Sequence, residues 1–80
     1  MHYVYLIRSL KDSSKTYIGH TDNLKERLET HNSGGSIHTK EDRPWELVMF
    51  FGFKDKLKAT AFEKYLKSGA GRAFAKKRFW

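Results

Sequence analysis

The chain has 80 residues, the length of a single small domain, and no cysteine, which excludes disulfides, thiolate metal sites and a cysteine nucleophile. Sixteen Lys and Arg against nine Asp and Glu give a net charge of +7, and such a field favours nucleic acid as the partner. No apolar run approaches the roughly 20 residues of a membrane span, so we expect a soluble, cytoplasmic protein that does not enter membranes.

The first two predicted elements are the arms of a β-hairpin. Residues 2–8 alternate so that Tyr5 shares a face with Tyr3, and both faces are apolar enough for a central strand. The turn-forming residues 12–14 follow, and residues 15–20 return as the second arm. This pattern places tyrosines side by side on neighbouring strands.

A helix, a long loop and a third strand are predicted next. Helix N-cap chemistry at residues 21–23 starts a helix that runs to about Asn32. The polar loop 33–44 follows, and long loops of this kind are usually functional or mobile. Residues 45–53 are the most apolar stretch and predict a buried third strand, in which Gly52 marks a bulge or the strand's end.

Two further helical segments complete the prediction. Asp55 can cap a second helix that runs to about Ser68 and is ended by Gly69. A short basic tail over residues 72–80 is predicted to be helical, and its terminal aromatic residues either pack on the domain or dimerise. The element order is therefore β-β-α-β-α with a terminal helix, in one domain over residues 1–80.

Two residues of the first helix do not suit a simple packing role. At 100° per residue, His31 lies about 20° and Arg27 about 60° from Leu24, on the edge of the face that meets the sheet. The structural alternative is that Arg27 lays its stem over the core while His31 is a hydrogen-bonded helix end. Beside a hairpin of tyrosines, a functional site explains the pair equally well.

Glu63 and the hairpin tyrosines also have two interpretations. On the second helix Glu63 lies about 40° beyond Ala59, off the edge of the apolar arc, where it can simply pair with Lys67 at i,i+4. The tyrosines can be a cross-strand aromatic pair. A buried phenol normally finds a hydrogen-bond partner, however, and His31, at the end of a helix packed on this hairpin, is a candidate.

Together these residues resemble the GIY-YIG nuclease domain, in its compact stand-alone form. The segment 3–5 (YVY) occupies the place of the first motif, and 17–19 (YIG) matches the second letter for letter. Arg27 matches the family arginine of the first helix, His31 a position that usually holds histidine or tyrosine, and Glu63 the metal-binding glutamate.

The resemblance implies an α+β fold with a small three-stranded antiparallel sheet flanked by helices in the order β-β-α-β-α-α. It also implies an endonuclease that hydrolyses phosphodiester bonds in DNA with one Mg²⁺ or Mn²⁺ ion. In that scheme Tyr5 acts as, or helps to assemble, the general base, and Tyr17 hydrogen-bonds the reacting centre. His31 orients a tyrosine or relays a proton, Arg27 clamps the scissile phosphate, and Glu63 holds the metal.

The sequence departs from the family pattern in two places. Tyr3 replaces the glycine of the first motif, and no asparagine follows Glu63, although the family has one late in the domain. The missing asparagine keeps a second interpretation open, namely a non-catalytic nucleic-acid-binding module on the same fold. A basic adaptor that binds protein is a third.

Substrate contacts are expected from basic residues of the loop and the tail. The candidates for binding phosphates of DNA, or of RNA, are Lys40, Arg43, Lys67, Arg72, Lys76 and Lys77. Such contacts position nucleic acid without reading its sequence, so we expect recognition of shape or exposed single strands, or targeting by a protein partner.

Overall fold

The sheet is formed by three antiparallel strands in the order β2-β1-β3. The computed structural model describes residues 1–80 and gives the strands as β1 (His2–Ser9), β2 (Thr16–Thr21) and β3 (Trp45–Phe53). Three helices, α1 (Leu24–Ser33), α2 (Lys56–Lys67) and α3 (Gly69–Arg78), flank it, and a 3₁₀ turn lies at Lys40–Asp42. The expected α+β architecture and element order are confirmed.

The register of β1 places its tyrosine opposite a glycine. Tyr5 pairs with Gly19 of β2, and two residues further along Ile7 pairs with Tyr17. The pairing with β3 shifts between Leu6 and Ile7, which leaves Val48 as the extra residue. The sheet irregularity lies in the middle of β3, and Gly52 stands beside the strand's end, which is the second of its two predicted roles. The prediction of a buried third strand is wrong, because β3 is an edge strand in which Trp45 alone is buried.

Both faces of β1 are buried, as its sequence predicted. Val4 and Leu6 pack against α2 and α3 through Leu66 and other apolar side chains. Tyr5 and Ile7 belong to a second apolar cluster on the opposite face, which α1 covers. Burial on both faces is typical of a central strand and requires apolar residues at every position rather than at alternate ones.

Polar side chains begin α1 and α2, and a glycine ends α1, where the sequence indicated. The Asn23 side chain accepts a hydrogen bond from the backbone N–H of Glu26 at the start of α1. Gly34, with φ of 85°, ends that helix in the left-handed conformation that glycine adopts without a steric penalty. Asp55 caps α2 through the N–H of Leu57.

The junction of α2 and α3 differs from the prediction. The last helix begins at Gly69 and not at Arg72, because Ser68 both ends α2 and caps α3 through the N–H of Gly71. A Cβ at Gly71 would overlap the carbonyl of Tyr65, so only glycine permits the two helices to meet this closely.

The terminal aromatic residues pack on the domain. Phe79 and Trp80 lie against the Val4 and Leu6 cluster, and the Arg8 guanidinium donates to the Trp80 carbonyl at 2.9 Å. The same guanidinium lies 5.6 Å from the centre of the indole ring. None of the three helices has the length and apolar character needed to cross a lipid bilayer.

Candidate active site

The phenol of Tyr5 lies at the centre of a hydrogen-bonded network between β1 and α1. Tyr5 is 2% exposed, and its Oη lies 2.7 Å from Nε2 of His31, which is fully buried. Arg27, one helical turn before His31, donates from Nε to the same oxygen at 3.3 Å. The i,i+4 spacing on α1 thus directs both side chains to one phenol, and of the two hairpin tyrosines it is Tyr5 that bonds the candidate partner His31.

The second nitrogen of His31 is held by a residue of the long loop. His31 Nδ1 lies 2.6 Å from Oγ1 of Thr39, which is fully buried. The carbonyl of Thr39 in turn accepts a hydrogen bond from the indole of Trp45 at 2.8 Å. Loop 33–44 is therefore fixed to the site through Thr39.

The network places its protons in one order. Arg27 has only donors, so the Tyr5 oxygen accepts from it, and the phenolic proton has no acceptor in the chain except His31 Nε2. On this assignment Tyr5 donates to Nε2, and the Nδ1–H of His31 donates to Thr39. His31 is held as the tautomer that can accept a proton from Tyr5.

The electrostatics of the three groups agree with that order. Burial raises the pKa of the Tyr5 phenol, although Arg27 acts in the opposite direction. Burial, followed by the charge of Arg27, lowers the pKa of His31 below its ordinary value of 6.5. The hydrogen bond to Tyr5 raises the pKa of Arg27. At neutral pH the site holds a protonated phenol, a neutral imidazole and a guanidinium cation.

Gly19 makes room for the phenol. It is the strand partner of Tyr5, and a Cβ at this position would overlap the hydroxyl and the ring of Tyr5. Backbone conformation is not the reason for glycine here, since φ of Gly19 is not positive. The phenol lies directly over the glycine backbone, and any side chain would displace it from His31.

Tyr17 and Glu63 join the network from the other side. The Tyr17 ring lies 5.2 Å from that of His31 and 6.4 Å from that of Tyr5, measured between centroids. Lys67 of α2 lies with Nζ 5.5 Å from the centre of the Tyr17 ring and 3.0 Å from Oε2 of Glu63. Lys67 thus joins Glu63 to the tyrosines, and all five predicted site residues lie in one connected region.

Glu63 is the carboxylate that the sequence predicts for a divalent cation, and it lies in this region. The structure contains no cluster of three or more His, Asp or Glu side chains of the kind that holds a metal by protein ligands alone. A Mg²⁺ ion keeps most of its waters and is often held by one or two carboxylates together with substrate phosphates. Glu63 fits that mode, because its side chain is 20% exposed and only Oε2 is paired, with Lys67.

Three of the six predicted phosphate-binding residues line one groove. The groove has a volume of about 690 Å³ and lies between β2 and the α2–α3 pair. We call it the basic groove; it is lined by Lys67, Arg72, Lys76, Tyr17 and Trp80, among others. The predicted residues Lys40, Arg43 and Lys77 are exposed and do not line it.

Comparison with known proteins places the chain in a family. Residues 1–77 match the GIY-YIG catalytic domain. The chain belongs to the GIY-YIG nuclease family. The structure-specific endonuclease subunit SLX1 of Candida dubliniensis is 39% identical over 71 residues, covering 80% of this chain and 25% of that protein. The UPF0213 protein CPE1444 of Clostridium perfringens is 41% identical over 68 residues, covering 84% of this chain and 71% of the relative.

A further relative supports the same assignment. The UPF0213 protein YazA of Bacillus subtilis is 40% identical over 67 residues, covering 82% of this chain and 66% of that protein. The chain therefore spans about a quarter of the SLX1 relative and about two thirds to seven tenths of the UPF0213 relatives. The family resemblance inferred from the sequence motifs is confirmed.

Sequence reasoning missed three contacts of this GIY-YIG domain. Thr39 stood in a polar loop with no signal except that the loop was long. Gly19 was recognised as part of a motif, but its role depends on the Tyr5 ring that crosses it. The sequence predicts Lys67 as a partner of Glu63 and as a phosphate ligand, but not its contact with Tyr17. Its position over Tyr17 follows from how α2 packs against β2.

Proposed function

We propose that this chain is a divalent-metal-dependent endonuclease that hydrolyses phosphodiester bonds in DNA. Membership in a nuclease family supports the reaction class. The observation that carries the proposal is the phenol of Tyr5, held between the Arg27 guanidinium and a neutral His31. Phosphodiester hydrolysis needs a base for the attacking water and a cation for the phosphate, and this arrangement provides both side by side.

Tyr5 and His31 act as a proton relay in the proposed reaction. As water attacks phosphorus, the bond from phosphorus to the ester oxygen of one strand end breaks, and that leaving oxygen takes a proton from solvent. Tyr5 Oη takes the proton that the attacking water loses. At the same time the phenolic proton passes to His31 Nε2 across the 2.7 Å hydrogen bond. Tyr5 remains neutral throughout, which suits a phenol whose pKa is raised by burial. The neutral, Nδ1-protonated His31 is the form that can receive this proton.

Arg27 neutralises the negative charge that accumulates on phosphate oxygens in the transition state. Nε is engaged by Tyr5, and the side chain is only half-buried, so its terminal nitrogens can point towards a bound phosphate. Removing one such charge-stabilising donor typically costs about 10²–10³ in rate. Tyr17 would hydrogen-bond the same reacting centre, which its position beside His31 supports.

Glu63 would hold one Mg²⁺ or Mn²⁺ ion, which when bound would stabilise phosphate charge and lower the pKa of a coordinated water. The Lys67 ammonium now shares that carboxylate. Cation binding therefore competes with an i,i+4 ion pair of modest strength.

The substrate is proposed to be DNA of defined structure rather than defined sequence. Relatives carry the name structure-specific endonuclease subunit, which supports both a structural substrate and a protein partner that targets it. RNA is the alternative substrate. The net charge of +7 suits either polyanion.

A cleavage assay with matched variants tests the proposal. End-labelled nicked, flapped, four-way-branched and single-stranded DNA is incubated with Mg²⁺, Mn²⁺ or EDTA. We expect metal-dependent cleavage of at least one structured substrate, its loss in Glu63→Gln, and a rate lower by about 10²–10³ in Arg27→Ala. The exposed Glu29→Gln on α1 is the control and should cleave as the parent does. Equal cleavage by parent, Glu63→Gln and Arg27→Ala would refute the proposal.

A non-catalytic nucleic-acid-binding module is the second candidate function. The Glu63–Lys67 ion pair favours it, because the carboxylate that should hold the metal is already neutralised. The lack of an asparagine after Glu63 points the same way. Binding that weakens steeply with salt, without hydrolysis of any substrate in Mg²⁺ or Mn²⁺, would establish this function instead.

A further inference from the structure

The basic groove opens directly beside the candidate active site. Tyr17 belongs to both, since it packs against His31 and lines the groove. Lys67 likewise joins Glu63 and the groove wall. The groove and the candidate active site therefore share Tyr17 and meet through Lys67, while Arg27 contacts Tyr5 and lies outside the groove.

Three side chains that line the groove are cationic and none is acidic. Arg72 and Lys76 lie one helical turn apart on α3, and Lys67 faces them from α2. Ser14 and Thr16 add hydroxyl groups from the start of β2. Cations and hydroxyls together are the groups that proteins use to hold phosphates and sugars.

The same groove has an aromatic wall. Trp80 lines it, and the carbonyl of that residue is held by Arg8 at 2.9 Å, with the Arg8 guanidinium stacked near the indole. The indole is therefore held in place by the domain. An aromatic ring next to a line of cations is the arrangement by which proteins bind single strands, because each unpaired base can stack on the ring.

The size of the groove suits a single strand better than a duplex. About 690 Å³ lies within the range of roughly 300–1,000 Å³ that accommodates drug-sized ligands, which is room for one or two nucleotides. The internal bases of a duplex are stacked on both faces, so they cannot stack on the indole. The groove therefore favours an occupant with unpaired bases.

We propose that the basic groove binds an unpaired arm of the DNA substrate, with Arg72 and Lys76 on its phosphates and a base stacked on Trp80. The proposal rests on the proposed function, since the arm belongs to the same substrate. It adds which residues of this chain hold the unpaired arm, outside the candidate active site.

Binding is measured by fluorescence anisotropy in EDTA, so that the result does not depend on hydrolysis. The probes are labelled oligothymidylate of about ten nucleotides and a blunt hairpin duplex. We expect Trp80→Leu to bind the single strand roughly 5- to 100-fold more weakly than the parent, with little change for the duplex. Trp80→Phe retains a stacking ring and should lose much less.

The matched control is Tyr65→Leu, which removes an exposed aromatic side chain of α2 outside the groove. It should leave single-strand binding unchanged. Arg72→Ala combined with Lys76→Ala should flatten the slope of log affinity against log salt by about 1.4, at roughly 0.7 per cation on a single strand. Trp80→Leu also removes packing contacts, so a second measurement is needed that does not depend on that variant. Oligothymidylate should quench the tryptophan fluorescence of the parent but not that of Trp80→Phe, whose remaining tryptophan is the buried Trp45.

Several results would overturn the groove proposal. The first is an unchanged affinity of Trp80→Leu for the single strand, and the second is an equal loss of affinity for single strand and duplex in that variant. The third is displacement of the oligonucleotide by poly-glutamate at equal charge concentration, which would indicate an acidic peptide as the occupant. Cleavage without Trp80-dependent binding would refute the groove proposal but not the proposed nuclease function. Trp80-dependent binding without cleavage would refute the proposed nuclease function but not the groove proposal.

Discussion

Replacement of Gly19 by alanine tests how closely the site geometry depends on one missing side chain. A Cβ at Gly19 would approach the Tyr5 hydroxyl and ring far inside 3.0 Å, so something must move. The backbone of β2 is paired along its length with β1, which leaves the phenol as the group that yields. A shift on the order of 1 Å is enough to break the 2.7 Å hydrogen bond to His31.

The expected magnitudes follow from that displacement. Overpacking a well-filled interior typically costs about 1–3 kcal/mol, which for a domain of this size lowers Tm by roughly 4–20 °C. Misplacing a reacting group by about 1 Å costs on the order of 10² in rate. Gly19→Ala should therefore show both losses, measured by thermal denaturation and by cleavage of the best substrate below the melting range.

Two comparisons separate this cause from a general effect of alanine. Gly69→Ala adds a methyl group where no atom lies within 4 Å, and should be neutral or slightly stabilising. In a Tyr5→Leu background, which vacates the space over Gly19, the same Gly19→Ala change should cost little stability. If Gly19→Ala keeps the stability and rate of the parent, or costs as much stability in the Tyr5→Leu background, the reasoning is wrong.

Three further predictions concern the groups around the phenol. Folding lowers the pKa of His31, so this residue contributes stability that is present above pH 6.5 and is lost as pH falls through its folded pKa. In denaturant titrations at several pH values, His31→Gln should lose less stability on acidification than the parent. An equally steep loss in the variant would contradict this prediction. Thr39→Val leaves the buried Nδ1–H of His31 without an acceptor and should cost about 1–3 kcal/mol in urea unfolding, whereas Thr39→Ser should restore most of it; equal stability of the two variants would exclude this role. Lys67→Met frees the Glu63 carboxylate and should lower the Mg²⁺ concentration for half-maximal cleavage by up to about fivefold; a higher requirement would show that the lysine assists the metal.

The parts of the fold that the sequence predicted are those with local causes. Asn23 and Asp55 cap their helices through bonds two or three residues away, and the apolar run of β3 needs no distant partner to be recognised as a strand. Its burial was predicted wrongly, because burial depends on the position of β3 at the edge of the sheet. The α2–α3 junction was missed because glycine at Gly71 serves a close approach to Tyr65 rather than a helix stop. Composition cannot distinguish these two uses of glycine.

In the candidate site, too, the features with local causes were predictable and those that depend on tertiary contacts were not. The i,i+4 spacing of Arg27 and His31 was visible, and so was the need of Tyr5 for a partner, because helix geometry is regular. Thr39 was not, because its position depends on an irregular loop held by Trp45. Contacts made through such loops need the tertiary structure before they can be named.

Burial of β1 on both faces has a consequence for how the site opens. Val4 and Leu6 belong to one apolar cluster and Tyr5 and Ile7 to the other, so the strand that carries the central phenol is also the one that joins the two halves of the interior. Its amides should exchange with deuterium only through global unfolding, while those of the 33–44 loop exchange through smaller openings. The phenol cannot be loosened by itself, and a substitution that weakens either cluster should reduce the population of competent sites in proportion to the folded fraction.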